Sequence, residues 1–202
     1  MDLKKIFSES KENKKVALIK AYDLNTPTWE KSVLNLNYAF HNTETTILNK
    51  NEAIYNGRGN QSAIKLTEKL NIFSFHSIRY RKGQKHDHGN FLTEVEPIID
   101  RINESFDSSK IYAGKLHLNL LGDGQSYDIH EDDHDVLSWQ TNGKVEYRIH
   151  DSKNFDLYET YLLEPGDIIY MPSGLIHSIR VIEPRTTIIF QIHSIYDNSL
   201  DW

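Results

Sequence analysis

The residues best suited to chemistry are two histidines and a carboxylate in two short segments. His130 and Asp132 are separated by one residue, and His177 follows a turn rich in proline and glycine. If residues 130–132 form a strand, both side chains point to one face, with Cα atoms about 7 Å apart at a rise of roughly 3.4 Å per residue. A histidine from a neighbouring strand would complete a three-residue set that leaves coordination positions open. The sequence therefore predicts a divalent-metal site at His130, Asp132 and His177.

Neighbouring acidic and imidazole groups offer alternatives to this set. Asp133 and His134 directly follow the first segment, and either side chain could bind a metal in place of Asp132. Strand alternation favours positions 130 and 132. Asp135 is expected to support the site or the fold rather than to bind the ion. Because the chain contains no cysteine, any metal must be held by His, Asp or Glu.

Short strands separated by turns must position these residues. From Lys115 onward, apolar and polar residues alternate, and the later runs are rich in Ile and Tyr. These runs span residues 158–163, 167–171, 176–182 and 185–193. Turn sequences such as Glu-Pro-Gly-Asp at 164–167 separate them. Short strands at such regular spacing are typical of a β-sandwich or a small barrel, and we predict that barrel over residues 114–194.

Residues 1–113 show a mixed helical and extended pattern. We predict a strand over residues 16–20 and a helix after Thr26-Pro27, where apolar residues follow at helical spacing up to residue 40. A capping box at Thr93 and Glu96 predicts a second helix, reaching residue 106. These helices are expected to pack on the barrel, since neither is long enough to be stable alone. No linker divides the chain, so we predict one domain over residues 1–202.

Composition limits the class of protein and its partners. Apolar residues make up 38% and charged residues 26% of the chain, which is typical of a globular domain. No apolar run reaches the roughly 18 to 20 residues of a membrane-spanning helix. The first fifteen residues lack the apolar segment of a signal peptide, so we expect a cytoplasmic protein. Residues 101–202 carry seventeen acidic and eight basic side chains, which argues against a nucleic-acid partner. The basic stretch at 79–89 is interpreted as a solvated loop.

Two motifs resemble those of a known superfamily. Gly166, Pro172, Gly174 and His177 match the cupin pattern G-x5-P-x-G-x2-H, and residues 124–130 match G-x5-H. The first motif continues as H-x-D rather than H-x-H. An H-x-D followed by a distal His resembles the Fe(II)/2-oxoglutarate-dependent oxygenases.

The run HEDDHDVLSWQTNGKVEY at 130–147 is similar to the H-x-D-x-x-D-V-F-x-x-Q-x-x-G-x-x-x-W of the JmjC-type cupins, especially their ribosomal-oxygenase-like branch. The resemblance covers the predicted barrel. It implies a mostly β fold with flanking helices, namely a double-stranded β-helix (cupin, jelly roll). It also implies Fe(II) at the metal site, 2-oxoglutarate as cosubstrate, and hydroxylation of a small-molecule or macromolecular substrate.

The resemblance further implies a cation for the far carboxylate of 2-oxoglutarate. In the JmjC-type branch this cation lies fifteen residues after the first ligand, a position that is Val145 here. Lys144 is adjacent, but alternation points it to the opposite face. Another branch places an Arg on the last barrel strand in an R-x-S/T pattern, which Arg185 and Thr187 match. Because a guanidinium can bind a carboxylate with two hydrogen bonds, we predict that Arg185 and Thr187 bind the cosubstrate.

Three further positions are candidates for the same site. Tyr127 aligns with a hydroxyl residue that contacts the far carboxylate in some relatives. Asn119 and His117 lie on the expected inner face of the preceding strand and could approach the cosubstrate or the substrate. The alternative for Arg185 is a surface position at the end of its strand, paired with Glu183.

Two rival functions stay open on the sequence alone. The first is a metal-dependent cupin enzyme that does not use 2-oxoglutarate, such as a dioxygenase, an isomerase or a sugar-modifying enzyme. Its turnover would be insensitive to Arg185→Ala. The second is a non-catalytic ligand-binding cupin, in which His130→Ala would change neither activity nor ligand binding.

Overall fold

The computed structural model describes residues 2–20, 24–32, 45–49, 52–57, 72–75, 97–98, 104–105, 109–119, 122 and 124–194. At some strand positions within these ranges it describes the backbone but not the side chain. Within those ranges no helix has the length and apolar character needed to cross a bilayer. Residues 29–32 are helical, as are 97–98 and 104–105, which agrees with the start of the first predicted helix and with parts of the second. The remainder of both helices and the basic stretch at 79–89 lie outside the described residues.

An N-terminal helix that we did not predict precedes the first strand. Helix α1 spans Leu3–Asn13, begins at the capping carboxylate of Asp2 and ends at Lys14 in the left-handed conformation. Phe7 on its buried face packs against Tyr170, with ring centroids 4.7 Å apart. The cap and the four-residue spacing of Leu3 and Phe7 are the sequence signals that predict this helix.

Strands make up most of the described chain. They are β1 Ala17–Ile19, β2 Thr45–Asn49, β3 Glu52–Gly57, β4 Ile72–Phe75, β5 Ser109–Asn119, β6 Gly124–His130, β7 Asp135–Asn142, β8 Val145–His150, β9 Tyr158–Leu163, β10 Ile168–Met171, β11 His177–Val181 and β12 Arg185–Ser194. The predicted strand at 158–163 coincides with β9, and the other predicted strands of the second half agree within one residue at each end. The exceptions are β5, which begins six residues earlier than the alternation starting at Lys115 indicates, and residues 131–132, which follow the end of β6 at His130.

These strands form two antiparallel sheets. The larger has the order β1-β10-β7-β12-β5-β4-β2-β3, and the smaller has the order β6-β11-β8-β9. Strand β12 lies between β5 and β7 and places Arg185 opposite Asn119 and Thr187 opposite His117. This jelly-roll arrangement confirms the predicted cupin fold class.

The barrel core consists of apolar side chains from both sheets. Its buried members are Val136, Val145, Tyr147, Leu163, Ile169, Met171, Ile179 and Ile189. Val145 and Tyr147 alternate with outward residues along β8. Lys144 points outward, with its Nζ 3.3 Å from Glu164 Oε1 and 3.4 Å from Glu183 Oε1, as alternation predicts.

The turn between β7 and β8 depends on a glycine. Gly143 has a φ of +67°, and a Cβ atom there would lie 1.9 Å from the carbonyl oxygen of Pro184. Both the backbone conformation and the close approach exclude a side chain. This turn therefore fixes the start of β12, where Arg185 follows Pro184.

Candidate metal centre

The structure brings together the three residues that the sequence selects for a metal. His130 is the last residue of β6 and His177 the first of β11, and the two are paired across these strands. Asp132 lies in the loop after β6. The possible ligand atoms of the three side chains all lie within 4.8 Å of one another. The expectation that residues 130–132 form one strand is wrong, since β6 ends at His130; the loop, rather than strand alternation, directs Asp132 to the site.

Backbone contacts hold this loop against the segment before His177. The carbonyl of Asp132 accepts a hydrogen bond from the Gly174 N–H over 2.9 Å. Gly174 has a φ of +78°, a conformation that favours glycine. The turn that precedes one histidine is thereby tied to the loop that carries the carboxylate.

Asp135 makes a second connection between the same segments. Its Oδ1 accepts from the Ser173 N–H over 2.9 Å, and its Oδ2 accepts from the Tyr170 hydroxyl over 2.8 Å. Lys11 of α1 also donates to Oδ2 over 2.8 Å. Burial and the Asp135 carboxylate raise the pKa of Tyr170, so its hydroxyl stays a donor. Asp135 therefore supports the site from outside the ligand set and links it to α1.

The orientation of both imidazoles is set by backbone carbonyls. The Nδ1 atom of His130 lies 2.7 Å from the carbonyl of Asp128, and that of His177 lies 2.9 Å from the carbonyl of Leu175. Each Nδ1–H donates to its carbonyl in the neutral tautomer, so Nε2 is the nitrogen without a proton and the one suited to bind a metal. The two rings are 4.3 Å apart between centroids.

The two oxygens of the Asp132 carboxylate lie near different histidines. Its Oδ2 lies 3.7 Å from His177 Nε2, whereas its Oδ1 lies 4.0 Å from His134 Nε2. His134 Nδ1 is 2.7 Å from Asp133 Oδ1, and the Asp133 side chain is 95% exposed. Neither Asp133 nor His134 joins the cluster of possible ligands among the described residues.

The local electrostatics suit a metal cation. Burial lowers the pKa of the His177 imidazole, and the neighbouring His130 lowers it further. The imidazole is therefore neutral at neutral pH, which is the form that binds metals. Two neutral imidazoles and one carboxylate are the donor set of the facial triad that binds non-haem Fe(II), so the residues present fit such an ion.

A cavity adjoins the three residues. It is lined by His117, His130, Asp132, His134, Val136, Ser138, Tyr147, Met171, His177, Ile179, Ile189 and Gln191. Two of its polar members, Ser138 and Tyr147, are fully buried. Neither hydroxyl makes a hydrogen bond of normal geometry to another described residue, although the Ser138 hydroxyl and the Arg185 guanidinium both lie near the Tyr147 phenol. Sequence reasoning missed both. Tyr147 lies on the inner face of β8 with Val145, so its position was predictable, but its proximity to the cavity was not.

The predicted cosubstrate residues form a buried network beyond this cavity. The Arg185 side chain is fully buried, which makes the surface alternative with Glu183 wrong. Its Nε donates to Asn119 Oδ1 over 2.8 Å and its Nη1 to Thr187 Oγ1 over 2.7 Å. Its Nη2 donates to Ser126 Oγ over 3.0 Å.

Asn119, Thr187 and Arg185 therefore meet as the sequence indicates, and His117 lines the neighbouring cavity. Ser126 was not predicted; the neighbouring Tyr127 was, but its side chain lies outside the described part of the chain. Register shifts in the pairing of β6 with β11 interrupt the alternation there, so the inward residue could not be read from sequence.

Comparison with known families shows to which family the chain belongs. The model of the JmjC domain matches residues 88–200, which is more than half of the 202 residues. The chain belongs to the JmjC domain family. The match confirms the resemblance to JmjC-type cupins. No curated protein matches the sequence of this JmjC domain.

Solved structures share the fold of this JmjC domain. The ribosomal oxygenase YcfD of Escherichia coli, in complex with cobalt and 2-oxoglutarate, superposes with a TM-score of 0.61 at 15% identity, covering 92% of this chain and 49% of that chain. An oxidoreductase of the 2OG-Fe(II) oxygenase family from Burkholderia pseudomallei gives a TM-score of 0.52 at 13% identity, covering 93% and 89%. The chain thus spans about half the length of the E. coli structures it matches.

Proposed function

We propose that this JmjC domain is an Fe(II)- and 2-oxoglutarate-dependent oxygenase that hydroxylates its substrate. The observation that carries the proposal is the convergence of His130, Asp132 and His177 beside a cavity in the barrel. When bound, Fe(II) and 2-oxoglutarate supply the oxidising chemistry, in which O₂ is consumed, the cosubstrate is converted to succinate and CO₂, and a C–H bond is hydroxylated. The family membership of the chain supports the same assignment.

The three clustered residues hold the metal in this proposal. The carbonyls of Asp128 and Leu175 fix both imidazoles, so little conformational entropy is lost when Nε2 binds an ion. A single carboxylate neutralises half of a divalent charge. The remaining positive charge favours an anionic cosubstrate, such as the carboxylate next to the keto group of 2-oxoglutarate.

Arg185 supplies the positive charge for the other end of the cosubstrate. A guanidinium enclosed by the barrel favours a carboxylate nearby, because charge interactions are stronger where water is excluded. Asn119, Thr187 and Ser126 accept its hydrogen bonds and orient it. Thr187 also donates to Gln140 over 2.7 Å, which extends the network to β7. In this role Asn119 and Thr187 position Arg185 rather than meet the cosubstrate themselves.

Anaerobic titration with Fe(II) and 2-oxoglutarate tests the proposal. The complete set should give a visible metal-to-ligand charge-transfer band, and exposure to O₂ should form succinate. His130→Ala should abolish the band, whereas His134→Ala should retain it, because His134 lies outside the ligand cluster. A wild-type protein that gives neither band nor succinate contradicts the function. Metal-dependent turnover without succinate, unaffected by Arg185→Ala, favours the metal cupin that does not use 2-oxoglutarate.

A further inference from the structure

One edge of the smaller sheet carries most of the exposed apolar side chains. Five large apolar residues are exposed among those described, and four of them lie on β9 or in the loop that leads into it, namely Phe155, Leu157, Tyr158 and Leu162. Their exposed fractions lie between 45% and 60%. Apolar residues gathered in one patch mark a site of association, whereas single exposed ones are ordinary.

The loop before β9 is held in place by its own hydrogen bonds. Asp151 Oδ1 accepts from the N–H groups of Lys153 and Asn154 over 2.8 Å and 3.0 Å. The Asp151 N–H in turn donates to the carbonyl of Leu157 over 2.9 Å. The exposed side chains of Phe155 and Leu157 are therefore displayed by an ordered turn.

Strand β9 is also the outermost strand of its sheet within the described part of the chain. Its peptide groups alternate between β8 and the open edge. The Leu162 carbonyl faces the edge, because it accepts a hydrogen bond from Lys20 Nζ over 3.3 Å. By the same alternation, the peptide groups of Tyr158 and Thr160 face the edge as well. Such a row of backbone donors and acceptors is a template for pairing with another strand.

We propose that β9 pairs with β9 of a second copy of this chain, antiparallel and about a two-fold axis at Thr160. This pairing places Tyr158 of each copy opposite Leu162 of the other, so that each covers exposed apolar surface of its counterpart. The two Thr160 residues lie opposite each other at the axis. The Leu162 carbonyl keeps its bond to Lys20, since a carbonyl oxygen can accept two hydrogen bonds. The pairing needs neither metal nor cosubstrate and is independent of the proposed function.

The neighbouring registers fit less well. Pairing centred on Glu159 would set the two Glu159 carboxylates opposite each other, and like charges in that position are destabilising. Pairing centred on Tyr161 would place Tyr158 opposite Glu164, beyond the end of β9, and would leave its ring uncovered. The register centred on Thr160 avoids both faults. Because the two-fold axis uses the edge of both copies, association stops at the dimer. The contact is small, so we expect a weak dimer with a micromolar Kd.

Sedimentation velocity of the full chain, from low micromolar to several hundred micromolar, measures this association. Wild type should shift from monomer to dimer. Thr160→Pro removes an N–H that faces the edge and spares the bonds to β8, so it should raise the dimer Kd by about tenfold or more. Thr160→Ala keeps that N–H and is the matched control, which should dimerise as wild type does. Leu162→Glu places a charge opposite Tyr158 and should also raise the Kd, which keeps the test decisive if the proline variant fails to fold.

Cross-linking tests the position of the axis. The chain contains no cysteine, so Thr160→Cys introduces a single thiol that lies opposite its own counterpart. A short bismaleimide should link the two copies of Thr160→Cys and should not link Ser8→Cys, which places a thiol at an exposed position of α1.

Three outcomes would overturn the proposal. A wild-type chain that stays monomeric at several hundred micromolar leaves this edge to a partner of another kind. A dimer that neither Thr160→Pro nor Leu162→Glu weakens forms through another surface. Equal cross-linking of Thr160→Cys and Ser8→Cys contradicts an axis at Thr160.

Discussion

The carbonyl of Asp132 and the N–H of Gly174 are joined by a hydrogen bond of 2.9 Å. This bond connects the loop that carries the carboxylate to the turn that precedes His177. Asp135 connects the same segments again through the Ser173 N–H. The geometry of the candidate centre therefore depends on residues that do not bind the metal.

Asp135→Asn should weaken both the fold and metal binding. An amide has one acceptor oxygen in place of two, so it cannot accept from the Ser173 N–H on one side and from Tyr170 and Lys11 on the other. We therefore expect the free energy of unfolding to fall by about 2 kcal/mol. The Kd for Co(II), measured well below the unfolding temperature, should rise severalfold because the turn before His177 is less fixed. Lys11→Met is the control, since it leaves the Ser173 bond intact and should leave the Kd unchanged. An unaltered Kd in Asp135→Asn would show that Asp135 serves the fold alone.

Two glycines with positive φ should respond differently to alanine. At Gly143 a Cβ would lie 1.9 Å from the Pro184 carbonyl oxygen, whereas at Gly174 no atom lies within 4 Å. Gly174→Ala should therefore cost only the backbone strain of about 1 to 2 kcal/mol, and Gly143→Ala should cost considerably more. Urea denaturation of both variants measures the difference. Equal losses would contradict the close approach at Gly143.

The stability of the metal-free protein should fall in mild acid. The folded-state pKa of His177 lies below the ordinary value of 6.5, so the unfolded chain binds a proton at a higher pH than the folded chain does. The contribution of His177 to the unfolding free energy is therefore constant above the ordinary pKa and declines as the pH falls below it. Urea denaturation in EDTA from pH 8 to pH 5.5 should show a smaller decline in His177→Gln than in wild type. Parallel declines would contradict the lowered pKa.

Substitution of Arg185 and substitution of Lys144 should differ in their effect on the affinity for the cosubstrate. Arg185→Met removes the buried charge and should weaken 2-oxoglutarate binding to the Co(II)-loaded protein about a hundredfold, or roughly 2.7 kcal/mol. Lys144→Met removes only partly exposed ion pairs with Glu164 and Glu183. It should change stability little, because solvent screens such ion pairs, and it should leave binding unchanged. Calorimetric titration of both variants, after confirming that each is folded, distinguishes them; a stronger effect of Lys144→Met contradicts the proposed role of Arg185.

The sequence by itself determined the architecture of the second half and the members of the candidate centre. Alternation and turn residues located β9 to β12, since a strand with one buried face must repeat every two residues. The same alternation predicted that Lys144 points outward. The two motifs and their order along the chain identified His130, Asp132 and His177. This was possible because residue types and their spacing within a motif can be read directly from the sequence. The N-terminal helix was missed although its cap at Asp2 and its apolar spacing are present in the sequence.

The tertiary structure alone decided which groups meet across the barrel. Asp132 reaches His177 through a loop hydrogen-bonded to Gly174, and register shifts in the pairing of β6 place Ser126, which we had not selected, beside Arg185. Tyr147 and Ser138 come from different strands, so no spacing along the chain shows that both line one cavity. Each of these contacts depends on how two strands pair, and that pairing is set by packing of the whole barrel rather than by neighbours in sequence.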